Sequence, residues 1–139
     1  MKTSSNGYAK PIPLISSTNR PFWDALKRHE LAMQKCNGCD LIWYPPSPLC
    51  PSCWSRAFAW TKLSGRGRVS SWVVFHQSYF KSFDADIPYN VVEVELDEGP
   101  RILANIVGTS NDKIRVGIPV EIVFDDVTEE VTLARFKVA

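Results

Sequence analysis

The sequence predicts a mainly β protein made of an N-terminal helix, a four-cysteine ribbon and a five-stranded barrel. Three observations carry this. A segment opening at Pro21 has helical spacing, residues 36–53 hold two Cys-x-x-Cys pairs, and residues 69–136 fall into five short β-rich runs separated by turn residues. The chain has 139 residues, 45% of them hydrophobic and 12% aromatic, with five Trp. That suits one compact domain, or a domain of about 100 residues with a small appendage, and excludes a disordered chain. Sixteen Lys and Arg against fifteen Asp and Glu leave a net charge of +1, which argues against a dedicated binder of phosphate backbones. Met1–Gly7 leads into a Pro-containing stretch without the apolar run of a signal peptide, and no segment is long and apolar enough to span a membrane. The expectation is a cytoplasmic protein, where four cysteines point to metal before disulfides.

Residues 1–18, rich in Ser, Thr, Asn and Pro, are expected as a flexible arm. Residues 19–60 are expected to hold the helix and ribbon. Pro21 suits a first helical turn, and Phe22, Trp23 and Leu26 follow at helical spacing to about residue 29. From Glu30 the period changes to two, with Leu31 and Met33 on one face, so a strand should run into Cys36. Pro45-Pro46-Ser47-Pro48 forbids a helix between the cysteine pairs. Residues 61–139 are expected to form the barrel, from strands Val69–Phe75, Val91–Leu96, Ile102–Val107, Val120–Phe124 and Val131–Phe136. Gly99-Pro100 marks a tight hairpin between the second and third. Five strands of this length close most naturally as a Greek-key barrel of the oligonucleotide/oligosaccharide-binding (OB) type.

Cys36-Asn37-Gly38-Cys39 and Cys50-Pro51-Ser52-Cys53 are two knuckles separated by ten residues. This pattern places four thiolates at the corners of a tetrahedron and matches one Zn²⁺ on Cys36, Cys39, Cys50 and Cys53. Four Cys ligands leave no open position, so such a zinc is structural. Two disulfides, or ligands that have lost their metal, are the alternatives. A redox Cys-x-x-Cys lacks its βαβ setting. Trp54 follows Cys53 where many ribbons carry Gly, which predicts strain in the second knuckle.

These residues resemble a known family. The helix with Phe22-Trp23, the strand ending at Cys36, the two knuckles, Tyr44-Pro45-Pro46, Gly65-Arg66-Gly67-Arg68-Val69 and Val94-Glu95-Leu96-Asp97-Glu98-Gly99-Pro100-Arg101 are similar to the DUF35 family. The resemblance runs from about Pro21 to Ala139 and implies a rubredoxin-like zinc ribbon joined to an OB-fold. It also implies an accessory subunit of a thiolase-superfamily enzyme, docking in a hetero-oligomer and shaping or covering its acyl-CoA or acyl-acceptor site. Family members act with acetyl-CoA acetyltransferases and hydroxymethylglutaryl-CoA synthases, with a steroid side-chain aldolase, and with an acyltransferase of phloroglucinols. A CoA thioester bound jointly with the partner follows from the same resemblance.

Beyond the cysteines, Tyr79, Phe80, Phe83 and Tyr89 crowd a polar, Pro-ended loop and cannot all lie on one strand face. They read either as partner anchors or as local core over the barrel end. His76 has no sequence neighbour that completes a catalytic set; it reads as an acid or base, or as a structural or interface residue. Lys62, Arg66 and Arg68 are the one compact basic group near aromatics, able to take phosphates or to guard a strand edge. No nucleophile motif is present, so no activity is expected from the chain alone. The competing function is a zinc-ribbon and OB-fold nucleic-acid module. The barrel half carries at least as many acidic as basic residues, which opposes it.

Overall fold

A computed structural model describes residues 8–139. Met1–Gly7, part of the expected arm, lie outside the described residues. The first regular element is helix α1 (Arg20–Lys27), with Pro21 in its first turn and Phe22, Ala25 and Leu26 on its buried face. It closes with the two bonds of a left-handed C-cap: the Glu30 N–H donates to the Ala25 carbonyl at 2.9 Å and the His29 N–H to that of Leu26 at 2.8 Å. His29 takes φ +60° where Gly is the usual residue.

Strands β1 (Leu31–Cys36), β2 (Ile42–Trp43) and β3 (Phe58–Leu63) form an antiparallel ribbon sheet in the order β2-β1-β3. Strand β1 is where expected, but its alternation is not: Leu31, Ala32, Met33 and Gln34 are all buried. The central strand of a sheet that packs against α1 is covered on both faces. Strand β3, which lies outside the expected strands, runs across residue 60 and pairs along its whole length with β1, from Leu31 opposite Leu63 to Cys36 opposite Phe58.

The five barrel strands are β4 (Arg66–Phe75), β5 (Tyr89–Leu96), β6 (Arg101–Ala104), β7 (Pro119–Asp126) and β8 (Thr132–Val138), in the order β6-β5-β4-β7-β8. All five correspond to expected strands, and the β5–β6 hairpin turns at Gly99-Pro100. The third differs from its expected span, ending at Ala104 instead of Val107. Asn105 turns its side chain to the Asn90 carbonyl, and Ile106 then meets Phe136 in a parallel bridge that draws β6 toward β8. The sheet therefore curls into a partly closed barrel.

The glycines of Gly65-Arg66-Gly67 have steric causes. A Cβ on Gly65, at φ +76°, would lie 2.3 Å from Ile122 Cγ2, and one on Gly67 would lie 2.4 Å from the Glu95 carbonyl oxygen. The strands cross too closely there for a side chain.

Two core clusters result. The larger joins Phe22 and Leu26 of α1, Leu31, Met33 and Leu63 of the ribbon base, and Val69, Val92, Val94, Leu96, Ile102, Val120 and Phe136 of the barrel. The smaller, at the ribbon tip, holds only Cys36, Trp43 and Cys50, with Phe58 against them.

Candidate metal centre and barrel-mouth surface

The two cysteine knuckles have the same internal bonding. In the first, the Asp40 N–H donates to the Cys36 carbonyl at 3.1 Å and the Cys36 N–H to the Leu41 carbonyl at 2.8 Å. In the second, Trp54 donates to Cys50 and Cys50 to Ser55, both at 2.9 Å. The residue after each second cysteine is left-handed, Asp40 at φ +63° and Trp54 at φ +65°. The strain expected at Trp54 is present: for a bulky residue this region costs about 1–2 kcal/mol. The indole itself stands 75% exposed.

All four Sγ atoms lie within 4.8 Å of one another, with Cys36–Cys53 at 3.5 Å and Cys39–Cys50 at 3.6 Å. A tetrahedron with Zn–S of about 2.3 Å has S···S edges of about 3.8 Å, so the donor set fits one Zn²⁺. None of the four is in a disulfide. Backbone N–H groups aim at the first sulfur of each pair: Gly38 and Cys39 at Cys36 Sγ (3.3 and 3.4 Å), Ser52 at Cys50 Sγ (3.4 Å). The Cys39 amide leads in lowering the Cys36 thiol to about 6, with burial opposing it and the Gly38 amide assisting. Burial pushes Cys50 up, but the Cys53 and Ser52 amides outweigh it and the thiol is lowered. At Cys39 the Leu41 amide lowers, yet burial and the neighbouring thiols prevail and the thiol rises to about 12. Cys53 is likewise raised, its Ser55 amide outweighed by the Cys36 thiol and burial. Four clustered thiols do not all ionise without a cation among them, and a divalent metal supplies that charge.

Gln34 supports this tip. It is buried on β1, donates through Nε2 to the Ser47 carbonyl at 2.7 Å and accepts from the Ser47 N–H at 2.9 Å. Ser47 Oγ in turn accepts from Trp43 Nε1 at 3.0 Å. The Pro-rich spacer is thereby fixed over the cysteines. No sequence pattern marked Gln34, because its partner lies thirteen residues away on a loop.

At the barrel mouth the aromatic loop divides. Phe83 and Tyr89 are half-buried in a ladder with Phe75, with ring centroids 5.1 Å apart for Phe75–Tyr89 and 5.6 Å for Phe83–Tyr89. Tyr79 and Phe80 stand out, 65% and 62% exposed. Lys10 ties the N-terminal segment to this loop, bonded to Asp86 at 2.8 Å and lying 5.5 Å over the Phe83 ring. Lys10, Phe83, Asp86 and Tyr89, but not Tyr79 or Phe80, border a cleft of about 680 Å³ whose polar wall includes Asn90, Asn105, Asn111, Asp125 and Arg135. Arg135 donates to Asp125 Oδ2 at 2.6 Å and to Asn105 Oδ1 at 2.7 Å, and Asn90 exchanges bonds with the Ile106 main chain. No local sequence pattern marks this network, whose members are scattered from residue 90 to residue 135.

His76 is exposed and makes no hydrogen bond or ion pair among the described residues. The expected basic group does not converge on one pocket. Lys62 faces a cleft with Arg20, Arg28 and Trp60, which Arg66 and Arg68 do not line. Arg66 sits opposite Glu121 and Arg68 opposite Glu95, while Arg101 pairs with Glu93 and Glu95 at 3.4 and 3.7 Å. This strand face is of mixed charge. No helix among the described residues is long and apolar enough to cross a membrane.

Residues 23–59 match the family described as "ChsH2, rubredoxin-like zinc ribbon domain", and residues 60–125 match "ChsH2, C-terminal OB-fold domain". A protein of Methanothermobacter thermautotrophicus called "DUF35 domain-containing scaffold protein" is 34% identical over 118 residues, which span 84% of this chain and 88% of that one. The chain belongs to the DUF35 family. The "Probable enoyl-CoA hydratase alpha subunit" of Thermomonospora curvata is 36% identical over 94% of this chain; the match spans 40% of that protein's length. A solved structure, "Ltp2-ChsH2(DUF35) aldolase", superposes with a TM-score of 0.83 at 35% identity, covering 91% of this chain and 98% of that one.

Proposed function

We propose that this DUF35 chain is a non-catalytic or co-catalytic accessory subunit that docks on a thiolase-superfamily enzyme and helps to shape or cover its acyl-CoA or acyl-acceptor site. The observation that carries the reading is the superposition, over nearly the full length of both chains, on the DUF35 chain of an aldolase assembly. A relative named as a hydratase alpha subunit and others named as scaffold proteins support an enzyme partner. The residues of this chain agree with a supporting role. The four cysteines form a closed donor set with no open ligand position, and His76 stands alone on the surface. In this reading Cys36, Cys39, Cys50 and Cys53 hold one structural Zn²⁺, and exposed Tyr79 and Phe80 are partner anchors.

A nucleic-acid role has less support, since Arg66 and Arg68 stand in register opposite Glu121 and Glu95, the Arg68 guanidinium donates to the Gly117 carbonyl, and Arg101 pairs with Glu93 and Glu95, which makes this surface one of mixed charge. Co-expression with thiolase-superfamily subunits of the same genome, followed by light scattering and turnover assays, tests the proposal. The expected result is a stoichiometric heteromer whose acyl-CoA turnover needs both chains and is absent from this chain alone. Turnover by the isolated chain, or no heteromer with any such subunit, contradicts it.

A further inference from the structure

Strand β4 has ten residues, but β7 pairs only with Arg66, Gly67 and Arg68. The pairing ends where Gly117 N–H donates to the Val69 carbonyl and Val69 N–H to that of Ile118. A bulge between Val69 and Ser71 then turns the strand, and from Ser71 to Phe75 it pairs with β5 alone. Among the described residues no main-chain bond reaches Ser71–Phe75 from the β7 side.

An open edge of five residues is normally guarded by Lys, Pro or an inward charge. Here the run Val69-Ser70-Ser71-Trp72-Val73-Val74-Phe75 has none, in a chain where 22% of residues are charged. Exposed apolar side chains lie along it. Val116, 66% exposed, precedes the glycine that bonds Val69 at its head; Val73, 53% exposed, lies at its middle; Tyr79, whose ring meets Phe75 edge-on at 6.3 Å, marks its far end. Free main-chain donors and acceptors in a row are matched only by another extended main chain, and the absence of charge calls for an apolar one.

We infer that the Ser71–Phe75 edge of β4 is a strand-addition site, occupied by an extended, uncharged segment of the partner enzyme subunit. The inference rests on the accessory-subunit reading and names the surface and its mode of contact. The neighbouring aromatic loop continues the same surface, since Tyr79 packs on Phe75 at the end of the strand.

The test uses the full chain, alone and mixed with the purified thiolase-superfamily subunit of the co-expressed pair. Amide exchange should slow at least tenfold within 71–75 in the complex. Val73→Lys places a guard charge on an exposed position, so it should leave the melting temperature within a few degrees while weakening the complex at least tenfold. Normal binding by Val73→Lys with no added protection at 71–75 overturns the inference and leaves the accessory reading standing. If no subunit binds at all, both fall. A Val73→Lys change in self-association then assigns the edge to a second copy, which also overturns the inference. Faster exchange at 71–75 after deletion of residues 1–7 assigns it to the chain's own N-terminus, with the same consequence.

Discussion

The ribbon tip and the barrel are built on opposite principles. Among the described residues, the barrel and the ribbon base share one core of fourteen buried residues, from Phe22 to Phe136, whereas the tip has three, two of them cysteines. A cluster of that size cannot offset the conformational entropy of ordering residues 36–55. The tip is therefore held by directed bonds: N–H to sulfur, Gln34 to Ser47, and the proposed metal on four thiolates. The barrel is held by burial. The comparison separates two kinds of fragility, one of them chemical and local, the other steric and spread through the core.

The largest break comes at the tip. Cys36→Ser removes a buried sulfur that accepts two amides and, in the proposed site, one of four ligands. Structural zinc sites of this type supply about 10–16 kcal/mol of binding energy in isolated peptides, so metal content should fall below one per chain and the tip should unfold. Because β1 and β3 share the barrel core at their base, amides of β5 and β7 should stay protected in hydrogen exchange. Loss of the barrel together with the tip would show that the two are not separable.

In the barrel the matching break is Gly67→Ala. The added methyl meets the Glu95 carbonyl at 2.4 Å and Val94 Cγ1 at 2.8 Å, so backbone must move. The expected cost is about 1–3 kcal/mol or more, read by denaturant midpoint, with zinc content unchanged.

A smaller effect lies where the two regions join. His29 stacks on Phe124 at 5.0 Å and its Nε2 meets both Asp126 carboxylate oxygens at 3.0 Å, clasping the end of α1 to β7. The Thr132 hydroxyl, followed by His29, holds the Asp126 carboxyl below its usual value. A depressed carboxylate contributes stability above its unfolded pKa and loses it as pH falls through the folded one. The contribution of the Asp126 carboxylate should thus be full above its unfolded pKa of about 4 and be lost as pH falls through the lower folded value. Asp126→Asn should flatten that acid limb in thermal melts. His29→Gly should be more stable than His29→Ala by about 1 kcal/mol, since both lose the clasp but only Gly relieves the left-handed backbone. Equal stabilities would show that His29 is unstrained.

How much of this was legible in the sequence depends on the range of each interaction. The cysteine knuckles, the Pro-initiated helix, the five β-rich runs and the Gly99-Pro100 hairpin are local patterns, and each is found in its expected place, although the third run stops short at Ala104. Strand β3 was not singled out because Phe58-Ala59-Trp60-Thr61-Lys62-Leu63 owes its place to pairing with β1, nearly thirty residues earlier. The Asn90–Asn105–Arg135 network and the Gln34–Ser47 pair escaped for the same reason. The aromatic loop is legible as a group, but its division into half-buried Phe83 and Tyr89 and exposed Tyr79 and Phe80 follows from ring packing: Tyr89 stacks on Phe75 and Phe83 packs on Tyr89, whereas Tyr79 meets Phe75 only edge-on.

That division supplies the most direct test of the central claim, that the barrel mouth docks an enzyme while the core merely supports it. The measurement is calorimetric titration of the thiolase-superfamily subunit with the wild-type chain and with Tyr79→Ala/Phe80→Ala. Exposed rings contribute little to their own domain, whereas central interface aromatics commonly contribute about 2 kcal/mol or more. The expected result is a melting temperature within a few degrees of wild type and binding weakened at least tenfold. Unchanged affinity at unchanged stability would contradict it and move the docking surface away from the barrel mouth.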